Sequence, residues 1–385
     1  MHQSPQADPR KWQRLDGVDI LRGLAIFFVL MNHVHIRLLL NKVAYSTAIP
    51  PQLLSSLVWN GQYGVQIFFA VSGFLITAMT LRRWGSLSQV RIGDFYLLRF
   101  ARIAPLLLAL LGILSLLHLA RFKPFVVSAA RGGLGQALFA ALTFHVNWLE
   151  ATRGYLPPSW DVLWSLSVEE VFYLFFPVVC VWLGRGKMLL WLLAALVIAG
   201  PFGRTLLAHN EVWKEYSYLG SMDAIAMGCL TALALNQIRP ARRTVPWLRV
   251  TGVALLILLL GFSVTFRRLA IAQAGLDMSL VALGTCLVIA AVAQSGGSGP
   301  AAVRPLVWLG QRSYEVYLTH MFVVLGLLNI FVAAGKPPGG VPLFFVGTVI
   351  VSGILGALVA RFYSEPMNRL LRKRWGRNTA VQTPF

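Results

Sequence analysis

Ten stretches of nearly unbroken apolar sequence recur from one end of this chain to the other, each about the length that crosses a bilayer as a helix. They fall at about 17–39, 62–81, 95–119, 162–183, 187–207, 217–237, 247–266, 277–294, 305–331 and 341–363. None shows the strict two-residue alternation that a membrane β-barrel requires. The fold class expected is therefore an all-α polytopic membrane protein with about ten transmembrane helices. Only 12% of the 385 residues are charged, about half the share usual in a soluble domain.

One further apolar stretch, 134–149, is short and interrupted by His145 and Asn147. If it does not span, both termini fall on one side. Arg82, Arg83, Arg91, Arg242, Arg243, Arg249 and the basic tail then share that side with Arg10, Lys11 and Arg14. If it spans, the Arg239–Arg249 cluster and the tail move outside. The positive-inside bias favours ten spans, cytoplasmic termini, and a re-entrant or interfacial helix over 134–149. Three regions follow: a polar cytoplasmic leader over 1–16, a membrane domain over 17–366 and a basic cytoplasmic tail over 367–385.

The net charge of +20 sits mainly in short loops, with Arg37 and Arg204 counted among the outer ones, and in the tail, as anionic lipid headgroups demand, so a nucleic-acid partner is not expected. Cys180, Cys229 and Cys286 lie in separate apolar runs and offer neither a disulfide framework nor metal spacing.

The first apolar run, GVDILRGLAIFFVLMNHVHIRLLL, carries an ionisable pair, Arg22 and His33, that a mere anchor would not keep. Eleven residues of helix return His33 to within about 20° of Arg22, about 16 Å further along one face. Intramembrane charges of this kind face a cavity rather than lipid. Arg99 and Arg102 stand one turn apart in FYLLRFARIAP, a concentrated cationic pair suited to phosphate oxygens or, at the least, to snorkelling toward headgroups. Asp161, Ser165, Glu169 and Tyr173 recur every four residues and share a helical face, with Glu170 turned about 100° away. Glu169 suits either a site or the neutralisation of an arginine. Ser313, Tyr317 and His320 fall on one face of the ninth run, beside Tyr314. His33, Glu169 and His320 come to similar depth. Two histidines and a glutamate without a paired HExxH-type spacing do not suggest a metal.

These motifs together resemble the membrane-bound acyltransferase-3 family, the bacterial integral-membrane O-acyltransferases. The resemblance rests on LDGVDILRGLAIFFVLMNH, GQYGVQIFFAVSGFLIT, FYLLRFARIAP, WSLSVEEVFYLFFP, LGQRSYEVYLTH and YSEP, in that order and nearly end to end. It implies that Arg22 and His33 are the essential pair and that Arg99 and Arg102 hold the phosphates of cytoplasmic acyl-CoA, acetyl-CoA by default. Glu169, Tyr317 and His320 would complete the catalytic site, with no metal. Many relatives place a histidine where this chain has Val162, and many carry a fused extracytoplasmic hydrolase-like domain that is not expected here.

The resemblance also implies a multi-pass protein of the bacterial cytoplasmic (inner) membrane. It would acylate a hydroxyl of a cell-envelope glycan, a glycolipid or a related sugar-containing acceptor. In such a reaction His33, with an ordinary pKa near 6.5, suits a general base. Tyr317 or His320 would steady the oxyanion. A transporter or flippase of a glycolipid or small anion is the competing reading, weakened by the lack of inverted repeats and broken helix pairs. Gly64 and Gly73 are expected to let helices approach closely.

Overall fold

In a computed structural model, residues 15–43, 45, 49–238, 240–267, 269–295 and 301–375 are described. The expected leader therefore falls outside these residues except for its last two positions, as does the end of the tail. All the regular structure described is helical. In chain order the long helices are α1 (Asp16–Leu40), α2 (Gly61–Trp84), α3 (Ile92–Leu119), α4 (Leu163–Leu183) and α5 (Met188–Arg204). They continue with α6 (Tyr218–Gln237), α7 (Val245–Gly261), α8 (Leu276–Ser295), α9 (Ser313–Ala333) and α10 (Gly340–Val359). A basic helix, α11 (Glu365–Trp375), follows. Eight spans among the described residues are long and apolar enough to cross a membrane, while α5 and α7 are apolar but 17 residues each. The protein is an all-α polytopic membrane protein.

Helix α1 carries Asp16 and Asp19 in its first turn and Arg37 in its last, in line with the helix dipole. It packs between α2 on one side and the short helix Arg304–Gln311 on the other. Helix α2 in turn lies along α6. Both close approaches run through glycine. A Cβ on Gly64 would stand 2.6 Å from the Ala25 carbonyl oxygen, and one on Gly73 would stand 2.0 Å from that of Ile225. The backbones touch where any side chain would part them, as expected.

The structure departs from the sequence reading at four places. The run at 305–331 is not one helix: it breaks at Arg312 (φ −114°, ψ 13°) into Arg304–Gln311 and α9. The cause is packing, since a Cβ on Gly310 would stand 1.8 Å from the Asp19 carbonyl oxygen. The chain must lie flat on α1 there before α9 can depart. The stretch 134–149 is likewise two helices, Gly133–Leu142 and Val146–Arg153, parted at Phe144 with φ 58°. Asp161 closes a separate turn, Pro158–Asp161, ahead of α4, so it does not continue the Ser165–Glu169–Tyr173 face.

Finally, Arg204 is no loop cation. It is 3% exposed and pairs with fully buried Asp223 at 2.7 Å. The Gly220 and Gly275 carbonyls and the Ser279 hydroxyl accept its remaining protons. This network ties α5, α6 and α8 together with every donor satisfied, which is the condition for keeping a charge in the interior. Asp223→Ala is expected to cost about 3–5 kcal/mol by stranding the guanidinium. A large fall in the thermal unfolding midpoint in detergent would register it, and an unchanged midpoint would contradict the structural role.

Candidate functional site

A cavity of about 750 Å³ lies among α1, α2, α3, α4, α9 and α11. At one end exposed Arg82, Glu365 and Arg369 form its rim; deeper, its wall includes Arg22, Ser72, Arg99, Arg102, Ser165, Glu169, Tyr173, Ser313 and Tyr317. Helical spacing puts Ser165, Glu169 and Tyr173 on this one wall of α4.

Each charged residue here is held by specific neighbours. Arg22 donates to the Ser313 hydroxyl at 3.1 Å and pairs with Asp19 at 3.6 Å. Because Arg312 begins α9 afresh, Ser313 is the first residue of that helix and faces α1. Arg99 lies over the Tyr173 ring at 4.8 Å. Glu169 faces Ser72, Arg99 and Arg22, and the Ser72 hydroxyl also meets that of Tyr173. Arg102 behaves differently from its neighbour one turn away. It forms two hydrogen bonds, at 2.7 and 3.4 Å, with Glu315, which is 1% exposed, and it stacks over Tyr314. The two arginines of the R-x-x-R motif are thus unequal: Arg102 has a carboxylate of its own, and Arg99 is shared with the cavity.

Beyond the inner end of the cavity stand the two imidazoles. The His33 and His320 ring centroids are 5.0 Å apart, and those of Tyr317 and His320 are 5.8 Å apart. Neither histidine lines the cavity wall, whereas Tyr317 does. The Tyr317 hydroxyl donates to the Val162 carbonyl at 3.0 Å and meets the Ser165 hydroxyl at 2.7 Å. Val162 thus contributes a backbone acceptor. His320 Nδ1 donates to the Tyr317 carbonyl at 2.7 Å. A carbonyl can only accept, so that nitrogen carries the proton and Nε2 keeps its lone pair. His320 Nε2 and His33 Nδ1 are both buried with no hydrogen-bond partner. The site therefore contains two adjacent imidazoles with unused basic or acidic capacity.

On the far side of the imidazoles from Arg22, Arg37 stands one turn beyond His33 on α1 and faces Asp161. Asp161 accepts from Tyr216 at 3.2 Å and faces Glu150. Burial, with Asp161 adding to it, holds the Glu150 carboxyl well above the usual carboxylate range.

Sequence reasoning singled out Arg22, His33, Arg99, Arg102, Glu169, Tyr317 and His320. The structure gathers Arg22, Arg99, Arg102, Glu169 and Tyr317 on one cavity and sets His33 beside His320 just behind Tyr317. It adds Ser72, Glu315, Arg37 and Glu150, which are silent in sequence because their partners lie far along the chain. Only the position of Glu315, three residues from Arg312 in a motif already rich in polar groups, offered a signal.

The acyltransferase domain family matches residues 15–357. Among curated proteins, the chain is 26% identical to the peptidoglycan O-acetyltransferase OatA of Listeria monocytogenes over 80% of its own length and 49% of that protein's. It is 23% identical to the O-acetyltransferase OatA of Staphylococcus aureus over 92% of its own length and 57% of that protein's. The chain spans about half the length of these relatives. No solved structure matches.

In thermal unfolding of Arg102→Met, Glu315→Met and the double variant, the pair is expected to show a coupling of about 0.5–3 kcal/mol. Additive losses would mean the ion pair is incidental.

Proposed function

The chain belongs to the acyltransferase-3 family, and from that premise we propose that it moves an acyl group, acetyl by default, from acyl-CoA to a hydroxyl of a cell-envelope glycan or related sugar-containing acceptor. The observation that carries this reading is a pair of adjacent imidazoles, each with one buried nitrogen that makes no hydrogen bond, behind the inner end of an arginine-rimmed cavity. Peptidoglycan is the acceptor named for the Listeria relative, and it is the first acceptor to test.

In the proposed arrangement the donor enters acyl end first from the cytoplasmic side. Arg99 holds its diphosphate, and Arg102 shapes that end of the cavity while bound to Glu315. The acceptor hydroxyl arrives from the opposite face, past Arg37 and Asp161. A hydroxyl is a poor nucleophile until its proton leaves, and His33 takes that proton as the oxygen attacks the thioester carbonyl. The C–S bond breaks as the tetrahedral intermediate collapses, and the thiolate of coenzyme A leaves with the returned proton. His320, fixed in one tautomer, presents Nε2 next to His33 and can share the proton. Tyr317 borders the cavity, and turning its hydroxyl proton away from the Val162 carbonyl would make it a donor to the oxyanion. Glu169 faces Arg22 and Arg99 and offsets part of their charge, and the donor's phosphates offset the rest.

His33→Ala is expected to lower acetyl transfer from labelled acetyl-CoA by about 100-fold or more; unchanged turnover by the purified protein would remove His33 from the chemistry. Arg99→Ala is expected to raise the donor KM by about tenfold with a smaller effect on kcat. An unaltered KM would separate Arg99 from the phosphates.

A further inference from the structure

Past α10 the backbone runs through one wide helical turn, Ala360–Ser364, and restarts as α11 with the sequence EPMNRLLRKRW. Helix α11 lies back along α3. Tyr363 donates to the Pro105 carbonyl at 3.1 Å, and the Trp375 ring meets Phe100 at 5.9 Å. This fold-back places Asn368, Arg369 and Arg372 on the cavity wall.

Arg372 is the informative residue. It is half-buried, and its Nε is enclosed with no hydrogen-bond acceptor. The charges facing it are the guanidiniums of Arg83, Arg99 and Arg102. Of these, Arg102 is balanced by Glu315 and Arg99 faces Glu169 deeper in. Among the described residues Arg83, Arg369 and Arg372 form no ion pair, and the carboxylate of Glu365 is exposed at the rim. Like charges gathered in a recess raise the local positive potential and invite a multivalent anion. Guanidiniums bind phosphate through paired hydrogen bonds.

We propose that α11 is a second phosphate clamp, in which Arg372, with Arg369 and Arg83, holds the ribose 3′-phosphate of a coenzyme A-type donor. The inference rests on the donor reading above. With the acyl end next to Tyr317, the nucleotide lies at the rim, and the 3′-phosphate is the donor's phosphate farthest from the thioester. The side chains nearest that rim belong to α11 and the end of α2. An anionic lipid headgroup offers the same phosphate chemistry, but Arg372 itself lines the cavity wall.

The test measures binding of coenzyme A and 3′-dephospho-coenzyme A to the full chain in zwitterionic nanodiscs, and again with phosphatidylglycerol added. The native protein is expected to favour coenzyme A by about tenfold or more. Arg372→Gln should remove most of that preference and leave the dephospho affinity intact, which also reports correct folding; Arg372→Lys should restore part of it. If the preference survives in Arg372→Gln combined with Arg369→Gln, the clamp is overturned and the donor reading stands. If the native protein binds neither compound, the donor reading itself fails. If the substitution alters binding only when phosphatidylglycerol is present, α11 is a lipid contact and the clamp is likewise overturned.

Discussion

A guanidinium held among lipid-facing helices cannot lose its proton, so it must find an anion, a set of carbonyls or water. That constraint sorts the arginines of this bundle. Arg204 is fully answered by Asp223, Ser279 and two carbonyls, and it fastens three helices without lining the cavity. Arg22 and Arg102 are answered from the neighbouring helices that also bring Ser313 and Glu315 into place. Arg99 is answered only in part, by an aromatic face and a carboxylate across a cavity. The unmatched remainder is what gives the recess its sign.

Placement of the imidazoles depends on the same economy of space. Helix α1 can carry both Arg22 and His33 inward because small residues let its neighbours reach its backbone, Gly64 on α2 and Gly310 on the short helix before α9. The break at Arg312 then lets α9 leave that flat contact and deliver Ser313, Tyr317 and His320 along one face. Without the break, the register from Gly310 onward would carry those side chains around a single continuous helix pressed against α1.

Much of this was legible in the sequence, for identifiable reasons. Apolar runs of bilayer length, counted directly, gave the helices to within a few residues, because hydrocarbon tolerates few alternatives. Spacing by fours put Ser165, Glu169 and Tyr173 on one wall. Periodicity failed where a tertiary contact overrode it: Gly310 against Asp19, the turn at Phe144, and the separate turn that carries Asp161 away. Charge counting could not tell a loop arginine from Arg204, since the difference lies in Asp223 and Ser279, helices away. Nor could it pair Arg102 with Glu315, because the two are 213 residues apart.

The hydroxyl contact between Tyr317 and Ser165 has a consequence for the cell that houses such a bundle. The recess on one side of Tyr317 and the ionisable cluster of Arg37, Asp161 and Glu150 beyond the imidazoles would, if joined by continuous water across the membrane, conduct protons and dissipate its gradient. The Tyr317 ring, hydrogen-bonded to the facing helix, stands on the cavity wall and occupies space that water would otherwise fill. A bulky ring at that point narrows the route by which such a gradient would leak.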